Sequence, residues 1–324
     1  MTTTLAARLA RAPSLEALYA LVRDGGLMPG WNKPTPSLWA APRKTFCPAH
    51  WRYAEAKGAL DAAGRLIGTD DAERRNMVLI NPMEGNGYAT TGTLVSAYQM
   101  ILPGERARSH RHSPNALRLV LDAEPGAYTV VDGERLMMLQ GDVVLTPSWC
   151  WHGHGNDSPA AAYWLDYLDV PLVQALEPMF FEPYPGDFQA ITATPRRSPF
   201  VFSWRETEAA LDRTEADAAG RFGCQVELGA PTLRTIGLFM QRLEAGTRTK
   251  PVQTTANNIY SVVRGRGETV VDGERFEWSR GDVVVAPAWR PHEHHAAEDA
   301  VLFRVTDAPL LRALGFLRSE GERP

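Results

Sequence analysis

One stretch of this sequence occurs twice. VVDGERLMMLQGDVVLTPSWCWHGH runs from Val130 to His154, and VVDGERFEWSRGDVVVAPAWRPHEH runs from Val270 to His294. The offset is 140 positions, and it holds without a gap for Asp132/Asp272, Gly141/Gly281, Asp142/Asp282, Pro147/Pro287, Trp149/Trp289, His152/His292 and His154/His294. A duplicated domain is the simplest account. Each copy reads as strand, tight turn, strand. AYTVV (from Ala127) and GETVV (from Gly267) are rich in β-branched residues, and the Asp-Gly that follows suits a hairpin turn. GDVVLTP and GDVVVAP are short apolar runs of the kind that fill a sandwich core.

Outward from the repeat, 27 glycines and 24 prolines punctuate many short β-branched runs. That pattern implies an all-β architecture, a sandwich or jelly roll present twice. EPMFFEPYPGDFQAITATPRRSP, from Glu177, is proline-rich and reads as a connector. The expected organisation is an N-terminal helical and irregular arm (1–90), a first barrel (91–175), a connector and linking segment (176–230) and a second barrel (231–324). Within the arm, Leu15, Leu18, Tyr19 and Val22 share one helical face, with Ser14 as its cap.

The chain has 324 residues and a net charge of -4, so it carries no basic field to draw nucleic acid or anionic lipid. Cys47, Cys150 and Cys224 are odd in number and widely spaced, which argues against a disulfide framework or a zinc-thiolate site. No apolar run approaches the roughly 18 residues of a membrane span. The N-terminus lacks the uninterrupted apolar stretch of a signal peptide, so the expected compartment is the cytoplasm.

Four of the eight histidines bracket His110–Asp157. His110 and His112 stand at i and i+2, so a strand would point both imidazoles to one side. His152 follows the next apolar strand, and antiparallel sandwiches bring such strands together. Three imidazoles can then converge on one ion, and imidazole suits iron, zinc, copper or nickel rather than calcium or magnesium. A lone histidine is more often a surface or satisfied core residue, so the trio carries this reading and no single member does.

GERARSHRHSPNALR and GDVVLTPSWCWHGHGN resemble the two motifs of the cupin superfamily. Gly104 to His110 fits the first, and Gly141, Pro147, His152 and Asn156 fit the second. Trp149 replaces a usual glycine, and Ala116 and Leu117 stand near the place of the glutamate that often serves as a fourth ligand. With DYLDVPLV and NPMEGNGYATTGTL, the tract resembles the gentisate 1,2-dioxygenase family, which includes salicylate, 5-nitrosalicylate and 1-hydroxy-2-naphthoate dioxygenases. The resemblance implies a bicupin, often a homotetramer, with one Fe(II) per chain on His110, His112 and His152. It implies cleavage, with O2, of a small aromatic hydroxy acid between its carboxyl- and hydroxyl-bearing carbons. The lead substrates are gentisate or a 5-substituted salicylate; 1-hydroxy-2-naphthoate, or a non-catalytic cupin that binds an aromatic acid, are the alternatives.

The same resemblance points to Arg118, helped by Asp166, as partner of the substrate carboxylate. His154 would bond a substrate oxygen or move a proton, and Gln99 and Arg74 would line the pocket. Val95 stands where many relatives carry tryptophan, which opens space or removes a stacking surface. In the second copy, aligning Tyr260 with Arg118 places Val252 and Thr254 where His110 and His112 stand. That barrel is therefore expected to be metal-free and structural.

Overall fold

The computed structural model of the protein describes residues 4–72, 74–229 and 233–321. The boundary expected between 230 and 231 lies outside them. The chain forms two units, Met1–Arg43 and Lys44–Pro324. In the first, helix Leu15–Asp24 starts at Ser14, whose hydroxyl accepts from the Ala17 amide at 3.2 Å, as the cap requires. No helix among the described residues is long and apolar enough to cross a membrane.

The second unit is a bicupin, two jelly rolls of two sheets each. In the first, six strands run in the order Val201–Phe202, Val143–Thr146, Ala116–Asp122, Ala162–Leu168, Val95–Ile101 and Arg75–Val78. The facing sheet has the order Phe181–Pro183, Arg106–His112, His152–Asn156, Ala127–Val131 and Glu134–Met137. Its hairpin turns at Asp132 and Gly133 with φ of 45° and 86°, as Asp-Gly allows.

The second jelly roll repeats the six-stranded order as Ala49–Trp51, Val283–Ala286, Asn258–Arg264, Ala300–Thr306, Gly237–Leu243 and Cys224–Glu227. The outermost strand of each six-stranded sheet comes from ahead of the other repeat: Ala49–Trp51 joins the second barrel and Val201–Phe202 joins the first. The helices that follow make the same exchange. The Tyr53 amide donates to Asp282 at 2.8 Å, and the Trp204 amide donates to Asp142 at 2.8 Å. Their rings press on Gly281 and Gly141, where a Cβ would come within 2.5 Å and 2.8 Å of ring atoms.

Strand Ala116–Asp122 is buried along nearly its whole length because it has two apolar surroundings. Leu117, Leu119 and Leu121 join a core shared between the barrels with Ile259, Val283 and Phe303, while Val120 faces the first barrel's interior with Val144, Ile101 and Trp164. Burying each such leucine contributes about 1.5–3 kcal/mol, so the two barrels stand as one packed body. The Tyr167 and Ser261 hydroxyls, 2.6 Å apart, cross the same seam.

Candidate metal centre

His110 and His112 lie on strand Arg106–His112, and His152 begins strand His152–Asn156, which pairs with it. The register puts His110 directly opposite His152, with an irregularity between Ala107 and His110 that re-aims the end of the strand. On the other edge, Phe181–Pro183 pairs with the same strand, Phe181 opposite His112 and Pro183 opposite His110. Among the described residues, His110, His112 and His152 each offer a ligand atom, and these atoms all lie within 4.8 Å of one another.

The hydrogen bonds behind the rings fix which nitrogen faces inward. His112 Nδ1 donates to the Pro114 carbonyl at 2.8 Å, and His152 Nδ1 donates to the Cys150 carbonyl at 3.0 Å. A carbonyl only accepts, so each Nδ1 carries the proton and each Nε2 presents a lone pair. The His152 Nε2 is buried without a hydrogen-bond partner. Burial lowers the pKa of His112 to about 4, helped by Arg74 and Arg118, and that of His110 to about 2, helped by Arg74, His112 and Arg118. Burial also holds His152 well below its ordinary value. All three are neutral at pH 7, the form that binds metals. The converging all-nitrogen donors and the buried nitrogen left without a partner fit a transition metal.

The residues singled out beside the trio lie along the same interior. Arg118 is 2% exposed; its Nε lies 3.1 Å from Asp166, and Nη1 donates to Thr146 Oγ1 at 3.1 Å. The Trp164 indole donates to the same Asp166 oxygen at 3.1 Å. Burial pushes the guanidinium's pKa down and the carboxyl's up, while the attraction between them opposes both shifts. His154 is buried opposite Thr129 in register, and its Nε2 has no hydrogen-bond partner. Gln99 and Val95 are buried four residues apart on one face of strand Val95–Ile101. From the arm, Arg74 places Nη2 2.7 Å from His110 Nδ1 and 3.4 Å from the Arg108 carbonyl.

The sequence pattern gives no sign of two further neighbours. Phe181, in the segment read as a connector, packs its ring 5.1 Å from His110. Thr129 Oγ1 lies 3.0 Å from His154 Nδ1 and 3.2 Å from Met138 Sδ. Only the repeat alignment could have pointed to Thr129, since Thr269 occupies the same place in the second copy. The Cys150 thiol beside the trio is pushed up to about 12 by burial and by Asp132, which disfavours the thiolate.

In the second barrel Val252 bridges His292, as His110 pairs with His152, and the Trp289 amide bonds the Thr254 carbonyl as the Trp149 amide bonds that of His112. The two absent ligands are therefore Val252 and Thr254. His292 Nε2 is occupied by the Tyr260 hydroxyl at 2.7 Å.

Residues 97–168 and 239–308 match the cupin domain. The chain is 35% identical to the 5-aminosalicylate 1,2-dioxygenase of Comamonas sp over 94% of this chain and 90% of that one. It is also 35% identical to gentisate 1,2-dioxygenase 1 of Aquipseudomonas alcaligenes, over 93% and 94%. It superposes on the salicylate 1,2-dioxygenase of Pseudoaminobacter salicylatoxidans, solved with gentisate, with a TM-score of 0.87 at 29% identity, covering 98% of this chain and 97% of that one. A two-barrel fold, a three-histidine centre in the first barrel and relatives matched almost end to end lead to one assignment: the chain belongs to the gentisate 1,2-dioxygenase family of ring-cleaving cupin dioxygenases.

Proposed function

We propose that the protein is an Fe(II) enzyme that cleaves gentisate or a 5-substituted salicylate, 5-aminosalicylate and 5-nitrosalicylate among them, between the carboxyl- and hydroxyl-bearing carbons. His110, His112 and His152 would hold the iron. The observation that carries the reading is the convergence of three neutral imidazoles inside the same barrel as a buried arginine. Bound there, iron would supply Lewis acidity and bring the two reactants together.

The chain's own residues do the rest. Three neutral ligands add no negative charge to the site, so an anionic chelating substrate is attracted rather than repelled. Arg118 offers a guanidinium already desolvated and oriented by Asp166 and Thr146, which suits a carboxylate. A guanidinium can only donate, so Arg74 and a protonated His110 Nδ1 cannot share their present contact. Ligation through His110 Nε2 would turn Arg74 toward another acceptor, and the substrate anion is one. Ile101, Val120, Val144 and Trp164 wall the interior with apolar surface that excludes water. Val95 and Gln99 would set how large a ring fits, and the small Val95 favours a substituted or bicyclic ring.

In this reading residues 91–175, the body of the first barrel, hold the chemistry, and residues 231–324, the body of the second, are its metal-free support; the strands exchanged at the sheet edges lie outside both ranges. A homotetramer in the cytoplasm belongs to the same proposal, and light scattering of the purified protein measures the assembly. The decisive experiment is oxygen uptake by the Fe(II)-loaded protein with gentisate, salicylate, 5-aminosalicylate, 5-nitrosalicylate and 1-hydroxy-2-naphthoate. Stoichiometric uptake with ring opening for a monocyclic acid is expected. Strong uptake with 1-hydroxy-2-naphthoate alone would move the assignment to the bicyclic substrate, and none with any would overturn it.

A further inference from the structure

The two repeats place a buried histidine and a buried threonine opposite each other: His154 with Thr129, and His294 with Thr269. In both, the threonine Oγ1 bonds the histidine Nδ1, at 3.0 Å and 2.8 Å. They differ in the third member of each group. In the first barrel Thr129 Oγ1 also contacts Met138 Sδ at 3.2 Å; in the second, Trp278 Nε1 contacts Thr269 Oγ1 at 2.9 Å. Met138 and Trp278 occupy the same position of the duplicated stretch.

The chemistry of that third member decides where the protons go. A hydroxyl has one proton to give. A thioether can only accept, so the Thr129–Met138 contact is a hydrogen bond only when Thr129 gives its proton to the sulfur. Thr129 then meets His154 as an acceptor, which requires the proton on Nδ1 and leaves Nε2 with its lone pair. The opposite tautomer would have Thr129 donate to Nδ1 and would lose the bond to sulfur. An indole N–H can only donate, so Thr269 accepts from Trp278, and His294 Nδ1 is the acceptor within reach of its own proton. That leaves the His294 proton on Nε2. A second difference agrees with this assignment. The residue at position 118 of the first repeat is arginine, whose cation favours a lone pair nearby. Its counterpart Tyr260 instead meets the His294 ring edge to face at 4.4 Å.

We propose that Thr129 and Met138 are positioning residues that lock His154 in the Nδ1-protonated tautomer, so that Nε2 enters the site as a hydrogen-bond acceptor. Its partner on the ligand is then a donor, a ring hydroxyl or amino hydrogen, and not the carboxylate, which falls to the guanidinium side. This use of the lone pair rests on the functional reading above; the tautomer does not.

The test is nitrogen NMR of the full chain labelled at its histidine imidazoles and loaded with Zn(II), which is diamagnetic. Only eight histidines contribute, and His294 serves as an internal contrast. His154 is expected to be protonated on Nδ1 and His294 on Nε2. Met138→Leu keeps the volume and removes the acceptor, so His154 should switch to Nε2–H, while Thr129→Ser should keep the native tautomer. In the Fe(II) enzyme, Met138→Leu should lower kcat/KM by roughly tenfold, the weight of one hydrogen bond, whereas Thr129→Ser should keep most of the native value. Finding His154 protonated on Nε2 in the native chain, or unchanged by Met138→Leu, would overturn the proposal. The spectra decide it whichever substrate is turned over, so failure of the tautomer and failure of the functional reading are told apart.

Discussion

The two barrels share a six-stranded sheet laid out in the same order, yet among the described residues only the first gathers three ligand side chains. The difference is larger than two substitutions. In the first barrel the ligands His110 and His112 ride on a strand that is irregular before His110 but clamped on both edges, by His152–Asn156 and by Phe181–Pro183. In the second, the facing sheet has three strands, and residues 248–254 meet it through isolated bridges at Arg248 and Val252 and through the Thr249 hydroxyl, which accepts from the His294 amide. The second barrel has also closed its surviving histidine with a tyrosine hydroxyl. A metal site thus needs ligands, a held strand and an open lone pair together; at Val252, Thr254 and His292 the second copy lacks that combination and keeps the sheet that packs on its partner.

The largest expected effect is the one that separates the barrels outright. His112→Ala should take metal content from about one to near zero per chain and lower oxygen uptake by more than about a hundredfold, since even outer partners of ligating histidines shift affinity by 10–100-fold. His292→Ala, at the matching strand of the second barrel, should leave metal content and turnover unchanged. Elemental analysis beside an oxygen electrode reads both. Retained metal in His112→Ala would mean that the trio is not the centre.

That contrast was legible in the sequence because its parts are local. A period of two puts His110 and His112 on one face, and the gapless repeat makes Val252 and Thr254 stand out as lost ligands. In NALRLVL the same period of two sends Leu117 and Leu119 to the core shared between the barrels and Val120 to the first barrel's interior. What could not be read depends on docking across the repeats. The Ala49–Trp51 and Val201–Phe202 strands exchange between barrels, and the contacts that hold the exchange (Tyr53 on Gly281, Trp204 on Gly141) join residues far apart in sequence and unlike in kind. Phe181 lies in a proline-rich run that signals a connector, and only the edge of the ligand strand makes it a wall of the site.

Arg118 ranks next. Arg118→Ala leaves Asp166 buried and unpaired, at a cost of about 3–5 kcal/mol of stability. It should also raise the KM for gentisate while the iron stays bound, because the guanidinium is not a ligand. The double substitution Arg118→Met with Asp166→Leu separates the two effects. It removes both charges, so stability should return to within about 1 kcal/mol of the native protein, whereas a raised KM should persist. Thermal melts and steady-state kinetics on the three proteins measure this. A KM that recovers with stability would reduce the arginine to a structural part, like Arg304 of the second barrel, which is stacked over Phe222 and Phe239.

The smallest effect falls on the closed histidine. His292 Nδ1 faces the Arg290 carbonyl at 3.3 Å, so its Nε2 is the acceptor for the Tyr260 hydroxyl. Tyr260→Phe keeps the ring against His294 and removes only that donor. The buried nitrogen is left unsatisfied, which costs about 1–3 kcal/mol, less than breaking the Arg118–Asp166 pair because no charge is stranded. The melting temperature should fall while iron content stays near one per chain, since freeing one lone pair supplies neither missing ligand nor a clamped strand to carry them. A second equivalent of metal in Tyr260→Phe would break the comparison between the barrels, because it would make the tyrosine hydroxyl alone the reason the second one is empty of chemistry.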